Sequence, residues 1–420
     1  MKSLKFCSFV FIIFYNSLSS ISFSQNFWQQ LNSPDSVKIN CVEVNDSGYI
    51  FLGCSNVFEG KGGVYRSVDH ALTWERVGLA NTYVFSLTID QDDNLYAGNQ
   101  YINKSYNNGN TWLKLFPPTP TPNVIALRTG YDSIVLAGSW VDPAIIRSGD
   151  FGATWKVVDT CDPFAWQNFR DFAFSYDGVI YAGSSNPENG DYGLYSSVDF
   201  GQTWNYFGFN ECIQSLAFDN NNRLLVGTLA TGLYRYDFQS SQWSLLLPNH
   251  TINDIIVSSD NRIFLACDGL PNANGGAMVS NDDGNNFNYI NSGLFDEYLT
   301  DFTIDEQGYL LACVYSDGHL YRSVDQIITN INKINESLST SLTNSPNPFK
   351  DFTILNFTLN GKINSQVAIS VYGSDSKLYH QSAGIINFPL KLNTLNWPSG
   401  IYIVVVAYQG RSKTLEIIRE

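Results

Sequence analysis

Methionine and histidine are the scarcest features of this 420-residue chain, with two Met, one of them Met1, and four His. Charged residues make up only 15%. These shortages exclude a coiled coil or a long helical assembly. Lys and Arg total 24 against 39 Asp and Glu, a net charge of −15. So acidic a chain repels phosphate backbones, and nucleic acid is excluded as a partner. There is no GxSxG, no HExxH, no phosphate-binding Gly loop and no CxxC. His70, His250, His319 and His380 are scattered, so no metal and no cofactor is expected. Asp/Asn-rich turns at Asp90–Asn94 and Asp260-Asn261 read as hairpin turns before calcium loops. The longest apolar run, Phe6–Tyr15, is about half the ~20 residues that a membrane-spanning helix needs.

That run follows Lys2 and Lys5 and precedes the small residues Ser22 and Ser24 before Gln25. The pattern predicts a secretory signal peptide over residues 1–24. The mature chain is therefore expected outside the cell or on its outer surface, reached via the periplasm. Six of the seven Cys would enter an oxidising compartment.

What the chain has in quantity is aromatic residues, at 15%, and 32 Gly. That composition favours short strands and tight turns. One phrase recurs: Ser-x-Asp-x-Gly-x-Thr-Trp, as in SVDHALTW from Ser67, SYNNGNTW from Ser105, SGDFGATW from Ser148, SVDFGQTW from Ser197 and SNDDGNNF from Ser280. YDFQSSQW and SVDQ are degenerate copies. The acidic column reads Asp69, Asn107, Asp150, Asp199, Asp237, Asp282 and Asp325. Before each stands a pair of apolar strands around a polar turn, such as VEVNDSGYIFLGC and FTIDEQGYLLACV. The two columns agree on seven repeats, each long enough for a four-stranded blade. The fold class predicted is all-β, a seven-bladed β-propeller over residues 25–325 followed by a small C-terminal β-sandwich. The seventh repeat lacks a Trp-bearing last strand, and Phe27–Leu31 is expected to supply it, removing an open edge.

The boxes resemble the Asp-box (BNR) repeats of sialidase-like and xyloglucanase-like β-propellers. The resemblance implies that the box residues are structural and lie on the face opposite the ligand site. Asn107 in place of Asp and Ala71 in place of Gly depart from the pattern.

Residues 326–344 turn to Ser, Thr and Asn and read as a linker. Residues 345–420 then alternate as short strands, a small β-sandwich. Asn347-Pro348, Val371-Tyr372, Gly400-Ile401-Tyr402 and Lys413 resemble the C-terminal sorting domain of type IX secretion cargo in Bacteroidetes. That resemblance implies that residues 345–420 engage the type IX secretion machinery, with Asn347, Pro348, Gly400, Tyr402 and Lys413 as the sorting motif.

Two disulfides are candidates from spacing: Cys41–Cys54 across the NDSG turn, and Cys161–Cys212 in equivalent loops. Ligand candidates collect in the long loops that join strand four to strand one and strand two to strand three. They are Trp140, Trp166, Tyr192 and Tyr298, with Glu59, Asp142, Glu188, Asp191, Asp268, Asp296 and Glu297. Aromatic faces flanked by carboxylates suit a glycan or a protein partner equally. Arg66, Arg147, Arg235 and Arg322 recur in register beside the boxes, whereas Arg128 and Arg170 break it. The reading is a monomeric, secreted or surface-held propeller that binds a glycan or protein, more simply a binder than an enzyme. The alternative is a glycoside hydrolase, xyloglucanase-like or sialidase-like, using two loop carboxylates ~5–9.5 Å apart. A scaffold resembling the photosystem assembly factors is disfavoured by the export signal.

Overall fold

The computed structural model describes residues 26–55, 60–115, 123–130, 133–140, 145–158, 168–175, 178–185, 192–268, 275–315, 318–327, 341–358, 367–373, 377–384, 390–408 and 411–420. Residues 1–24, expected to be a signal peptide, therefore lie outside the described residues.

Among the described residues every regular element is a strand. Seven four-stranded antiparallel sheets follow one another from Trp28 to Ser323. Their innermost strands are Ile39–Val44, Ser86–Ile89, Val124–Thr129, Phe169–Phe174, Ile213–Phe218, Thr251–Val257 and Leu299–Ile304. Each packs on the innermost strand of the next sheet, and Leu299–Ile304 returns to pack on Ile39–Val44. Sheets standing in this way round one axis are a β-propeller. Second strands such as Ile50–Cys54, Val135–Ser139 and Leu310–Val314 are buried at every position, and only Asp268, at the end of Ile263–Asp268, departs from this. Sheets on both sides cover them, so they read as continuous apolar runs and not as alternating ones.

The final sheet takes its outer strand from the start of the chain. Trp28–Gln30 pairs antiparallel with Leu320–Ser323, Trp28 facing Ser323 and Gln30 facing Tyr321. Trp28 is fully buried, stacks on Phe302 at 6.0 Å, and donates its indole N–H to Ile290 O at 2.7 Å. The sheet thus gains an outer strand and an anchor in the core of its neighbour.

The boxes close the turn between strands three and four. In the first, Thr73 N and Oγ1 donate to the two Asp69 carboxylate oxygens at 2.9 and 2.6 Å, and Ser67 Oγ donates to Asp69 at 2.8 Å. The pattern repeats at Asp150, Asp199 and Asp282, and Asn107 reproduces it through Oδ1. Asp237 accepts Gln239 N instead, and at the seventh copy Ser323 Oγ donates to the Asp325 backbone carbonyl. Box turns carry two successive left-handed residues, as at Phe200 (φ 60) and Gly201 (φ 77). Ala71 adopts φ 65 where other boxes have Gly, a conformation that costs a Cβ-bearing residue about 1 kcal/mol.

The in-register cations have a structural task. Arg66 donates to Asn108 O at 2.6 Å, Lys104 to Phe151 O at 2.8 Å, Arg147 to Phe200 O, and Arg235 to Asp283 O at 2.8 Å. Each acceptor is the first left-handed residue of the next sheet's box, so each cation ties one sheet to the next.

The expected Cys41–Cys54 bridge is not formed. Cys41 faces Gly53 and Cys54 faces Ile39 across a β-bulge, and both thiols are free. Cys41 packs with Val84 and Leu87 toward the second sheet, Cys54 with Leu311 and Cys313 toward the last. The side chains leave opposite faces of one sheet, which no disulfide can span. Cys161 lies outside the described residues.

Beyond Ile327, which is itself buried against the last sheet, the described chain resumes at Ser341. Ser341–Ser345 is already a strand, paired with Phe352–Thr358, and Leu342 is buried. The C-terminal unit therefore starts before residue 345: a Ser/Thr/Asn stretch that reads as linker contains an edge strand, because one leucine has a core to enter. The unit has a three-stranded and a four-stranded sheet around one core that includes Phe349, Leu355, Ile369, Trp397, Tyr402 and Ile417. Asn347 Oδ1 accepts Ile418 N at 2.8 Å, and the buried Tyr402 donates its hydroxyl to Pro398 O at 2.5 Å. Lys413 pairs in register with Val406.

Candidate functional site

Strands alternate direction, so the box turns share one face with the first hairpin of each sheet. The long loops lie on the other. The axial channel opens there through one residue from the head of each innermost strand: Asn40, Phe85, Ile125, Arg170, Gln214, Asn253 and Thr300. Several of these brace the ring, Asn40 Nδ2 donating to Val84 O at 2.6 Å and Asn253 Nδ2 to Leu299 O at 2.8 Å.

One step deeper is a tier, placed by a β-bulge in every sheet but the second: Cys41, Ser86, Ala126, Asp171, Ser215, Asp254 and Asp301, each opposite a small or short residue of strand two. Its carboxylates fasten sheets together. Asp171 accepts Leu216 N at 2.8 Å, Asp254 accepts Phe302 N at 3.0 Å, and Asp301 accepts Val42 N at 2.8 Å. A buried amide left unpaired at a bulge is costly, and the neighbouring sheet supplies its acceptor.

Arg128 and Glu43 stand below that tier. Arg128 Nε bonds Asp171 Oδ1 at 2.9 Å, and this pairing raises the guanidinium's pKa further. The other acids are less well compensated. Burial pushes Glu43 up to about 7, with Arg128 opposing the shift. Burial likewise pushes Asp254 to about 6 against the pull of Arg128. Asp301 is raised well above the carboxylate range by burial and then by Asp254. Desolvation wins over the single guanidinium. The cavity that these residues line is about 140 Å³.

At the mouth, Tyr83 stacks on Phe85 at 5.9 Å, Trp140 meets Phe85 edge-on at 6.4 Å, and the Arg170 guanidinium lies 5.9 Å from the Trp140 ring. Trp140 is 51% exposed and Tyr83 40%. Such a cluster offers flat apolar faces and a cation on a rigid rim.

Of the residues singled out from sequence, Trp140 belongs to this cluster. Tyr298 packs on Tyr315 at 5.4 Å, and burial raises its phenol pKa, with Asp268 adding to the shift and Arg170 opposing it. Asp268 is half-buried and raised by desolvation. Asp296 accepts Tyr298 N at 3.0 Å and Glu297 accepts Asn291 Nδ2 at 3.2 Å, so both serve their own loop. Tyr192 is half-buried beside Gly193 at the start of a third strand. Trp166, Glu59, Asp142, Glu188 and Asp191 lie outside the described residues. Sequence reading missed Tyr83, Phe85, the acidic tier, and Phe295, which is 85% exposed on the long-loop face. The usable signal for the tier was an Asp inside an apolar strand at one fixed register, in FRDFAF, INDIIV and LTDFTI. The two arginines that break register, Arg128 and Arg170, both line the channel. Among the described residues no group of three or more His, Cys, Asp or Glu could hold a metal ion. Asp90 serves its own turn, accepting Asn94 N at 2.9 Å and Tyr96 Oη at 3.0 Å.

No protein-family model matches the chain, and no curated protein matches it. Solved structures do. PorZ, an essential bacterial surface component of the type-IX secretion system of Porphyromonas gingivalis, is 13% identical with a TM-score of 0.56, over 93% of this chain and 60% of that one. YCF48 bound to D1 peptide is 17% identical with a TM-score of 0.57, over 72% of this chain and 98% of that one. The extracellular domain of BT4673 from B. thetaiotaomicron is 15% identical with a TM-score of 0.56, over 93% of this chain and 52% of that one. The chain thus spans little more than half the length of PorZ and of the BT4673 domain. At such identities the likeness concerns the fold, and the fold shared is the β-propeller.

Proposed function

We propose that this chain is an exported surface binding module. In this reading residues 25–325 are a seven-bladed Asp-box propeller that takes a protein or glycan ligand at the mouth of its axial channel. Residues 345–420 act as a β-sandwich sorting domain for type IX export. The observation that carries the binding reading is the half-exposed cluster of Tyr83, Phe85, Trp140 and Arg170 on the long-loop face. Support for surface display comes from the extracellular and surface settings of PorZ and the BT4673 domain, and YCF48 offers a propeller caught with a peptide. Support for the sorting role comes from Asn347 and Tyr402, each held by a specific hydrogen bond in the C-terminal unit.

Hydrolysis is the weaker reading. Glu43, Asp254 and Asp301, whose pKa values burial raises, line a cavity of about 140 Å³, below the ~300–1,000 Å³ of pockets that bury small-molecule ligands. Asp254 and Asp301 are also engaged in holding sheets together.

The test is a screen of the mature chain against glycan and peptide arrays, repeated with a Tyr83→Ala/Trp140→Ala double variant. Binding should fall roughly tenfold or more in the variant, as loss of aromatic hot spots does, with the melting temperature held. Undiminished binding by the variant would move the site elsewhere.

A further inference from the structure

We propose that the box face over sheets three and four is a docking surface for the chain's own C-terminal unit, and that it keeps residues 341–420 on the propeller without need of the covalent link. Whatever grips the C-terminal unit then grips the propeller too. The contact is independent of what the mouth binds, since it lies on the face away from Trp140.

The four-stranded sheet of the C-terminal unit has a second cover. Ile369 and Val371 of Val367–Gly373, with Tyr402, Val404 and Val406 of Gly400–Tyr408, enter the unit's own core. Side chains alternate along a strand, so Ala368, Ser370, Tyr372, Ile403 and Val405 point away from that core. In the pairing of the two strands Ser370 faces Val405 and Tyr372 faces Ile403. A sheet with one wet face carries polar residues on that side. Ile403–Ala407 reads instead as the unbroken run IVVVA, the mark of a strand covered on both sides. Ala368, Ser370 and Val405 are all buried, although none belongs to the unit's own core. Exposure then climbs along the outward row, from 7% at Val405 to 39% at Ile403 and 46% at Ile401, so the cover has an edge.

The propeller supplies that cover. Phe174, at the end of Phe169–Phe174, packs on Ala368. Its ring lies so close over Gly130 of the preceding sheet that a Cβ there would collide with it. The glycine thus lets an aromatic face span the seam between sheets three and four. Phe200, in the box of sheet four, meets Tyr372 edge-on with ring centroids 4.7 Å apart. Beside these contacts is a cavity of about 250 Å³, lined by Ile134, Phe200 and Gln202 from the propeller and by Tyr372, Ile403 and Val405 from the C-terminal unit. Aromatic rings set against a row of small and branched apolar residues are the makings of an interface that holds by affinity.

The experiment uses residues 25–420 carrying a specific protease site within residues 328–340, cut after folding. The nicked protein should elute from size exclusion as one species holding both fragments at micromolar concentration. Val405→Asp puts a carboxylate into the contact and not into the unit's own core. It should weaken the pair tenfold or more, as burial of an unpaired charge does. Tyr372→Ala, which removes only an outward ring, should weaken it several-fold. Small-angle scattering of the uncut chain reads the same contact without a nick: the parent should be one compact particle and Val405→Asp a longer one. Protection of the C-terminal core from hydrogen exchange should be kept in both variants. Should Val405→Asp fail to fold, Tyr372→Ala decides by the same two measurements. Separation of the nicked parent into two species at that concentration, or parent-like retention in the folded variants, overturns the proposal.

Discussion

The Asp301 carboxylate accepts the Val42 amide at 2.8 Å across the seam where the last sheet of the ring meets the first. Asp254 to Phe302 and Asp171 to Leu216 are the same contact at two other seams. On the opposite face, Arg66, Lys104, Arg147 and Arg235 each hold a carbonyl of the next box. Two polar belts, one inside the channel and one outside, thus hold the register of sheets whose hydrophobic contact is non-directional.

The inner belt sets a pH dependence. A carboxyl whose pKa is higher folded than unfolded stabilises the fold at low pH, and that contribution is lost as pH rises through the folded value. Glu43 near 7 and Asp254 near 6, against ordinary values of 4.5 and 3.8, should make the propeller less stable as pH rises from about 4 to about 7. Melting temperature across that range should fall, and Asp254→Asn should flatten the slope. A rising curve would contradict the assignment.

The box acids act in the other direction. Hydrogen bonds from Thr73 hold Asp69 down to about 2, and Asp150, Asp199 and Asp282 are lowered as well. Their contribution is present above the unfolded carboxylate range and disappears as pH falls through the lowered values. Acid unfolding below about pH 4 should therefore shift to higher pH in Asp69→Asn/Asp199→Asn. An unchanged acid limb would show that these bonds are not felt in stability.

Asp199→Ala should cost about 1–3 kcal/mol, because it unpairs Gln202 N and Thr203 N. Denaturant unfolding gives the value. Ligand binding measured below the variant's melting temperature should match the parent, since the box lies on the face away from Trp140.

Trp28→Ala removes a fully buried indole, its bond to Ile290 O and its stacking on Phe302, and should cost about 3–5 kcal/mol. Deleting residues 25–32 should destabilise the propeller as a whole. A melting temperature within a degree or two of the parent would refute the closure.

Removing residues 341–420 should leave a folded propeller that accumulates in the periplasm. The cut belongs at Ser341, because Leu342 is part of the C-terminal core. Normal amounts of the truncated protein in culture medium would refute the sorting role.

The sequence spelled out repeats better than it spelled out sites. Box turns are local, with Ser, Asp, Gly and Thr bonded within a few residues, so the pattern survives in one dimension. The orphan Phe27–Leu31 was readable because a repeat count left one strand missing. Asp301 was not, since its partner Val42 is adjacent only after the ring closes. Tyr83, Phe85 and Trp140 come from two loops of neighbouring sheets, and nothing in either loop announces the other. The Cys41–Cys54 pairing failed on a bulge, which turned the two side chains to opposite faces without any mark in the sequence.

The pairing of Trp28–Gln30 with Leu320–Ser323 also bears on how the molecule can be made. The first strand of the ring to leave the ribosome completes the last sheet of the ring to appear. Until then Trp28 has no pocket, and the unfinished sheet offers an unsatisfied edge. Contacts so distant along the chain form slowly. A cell that makes this protein must keep an early tryptophan-bearing segment uncommitted until Leu320–Ser323 has been synthesised, and the ring can lock only after both of its ends have arrived.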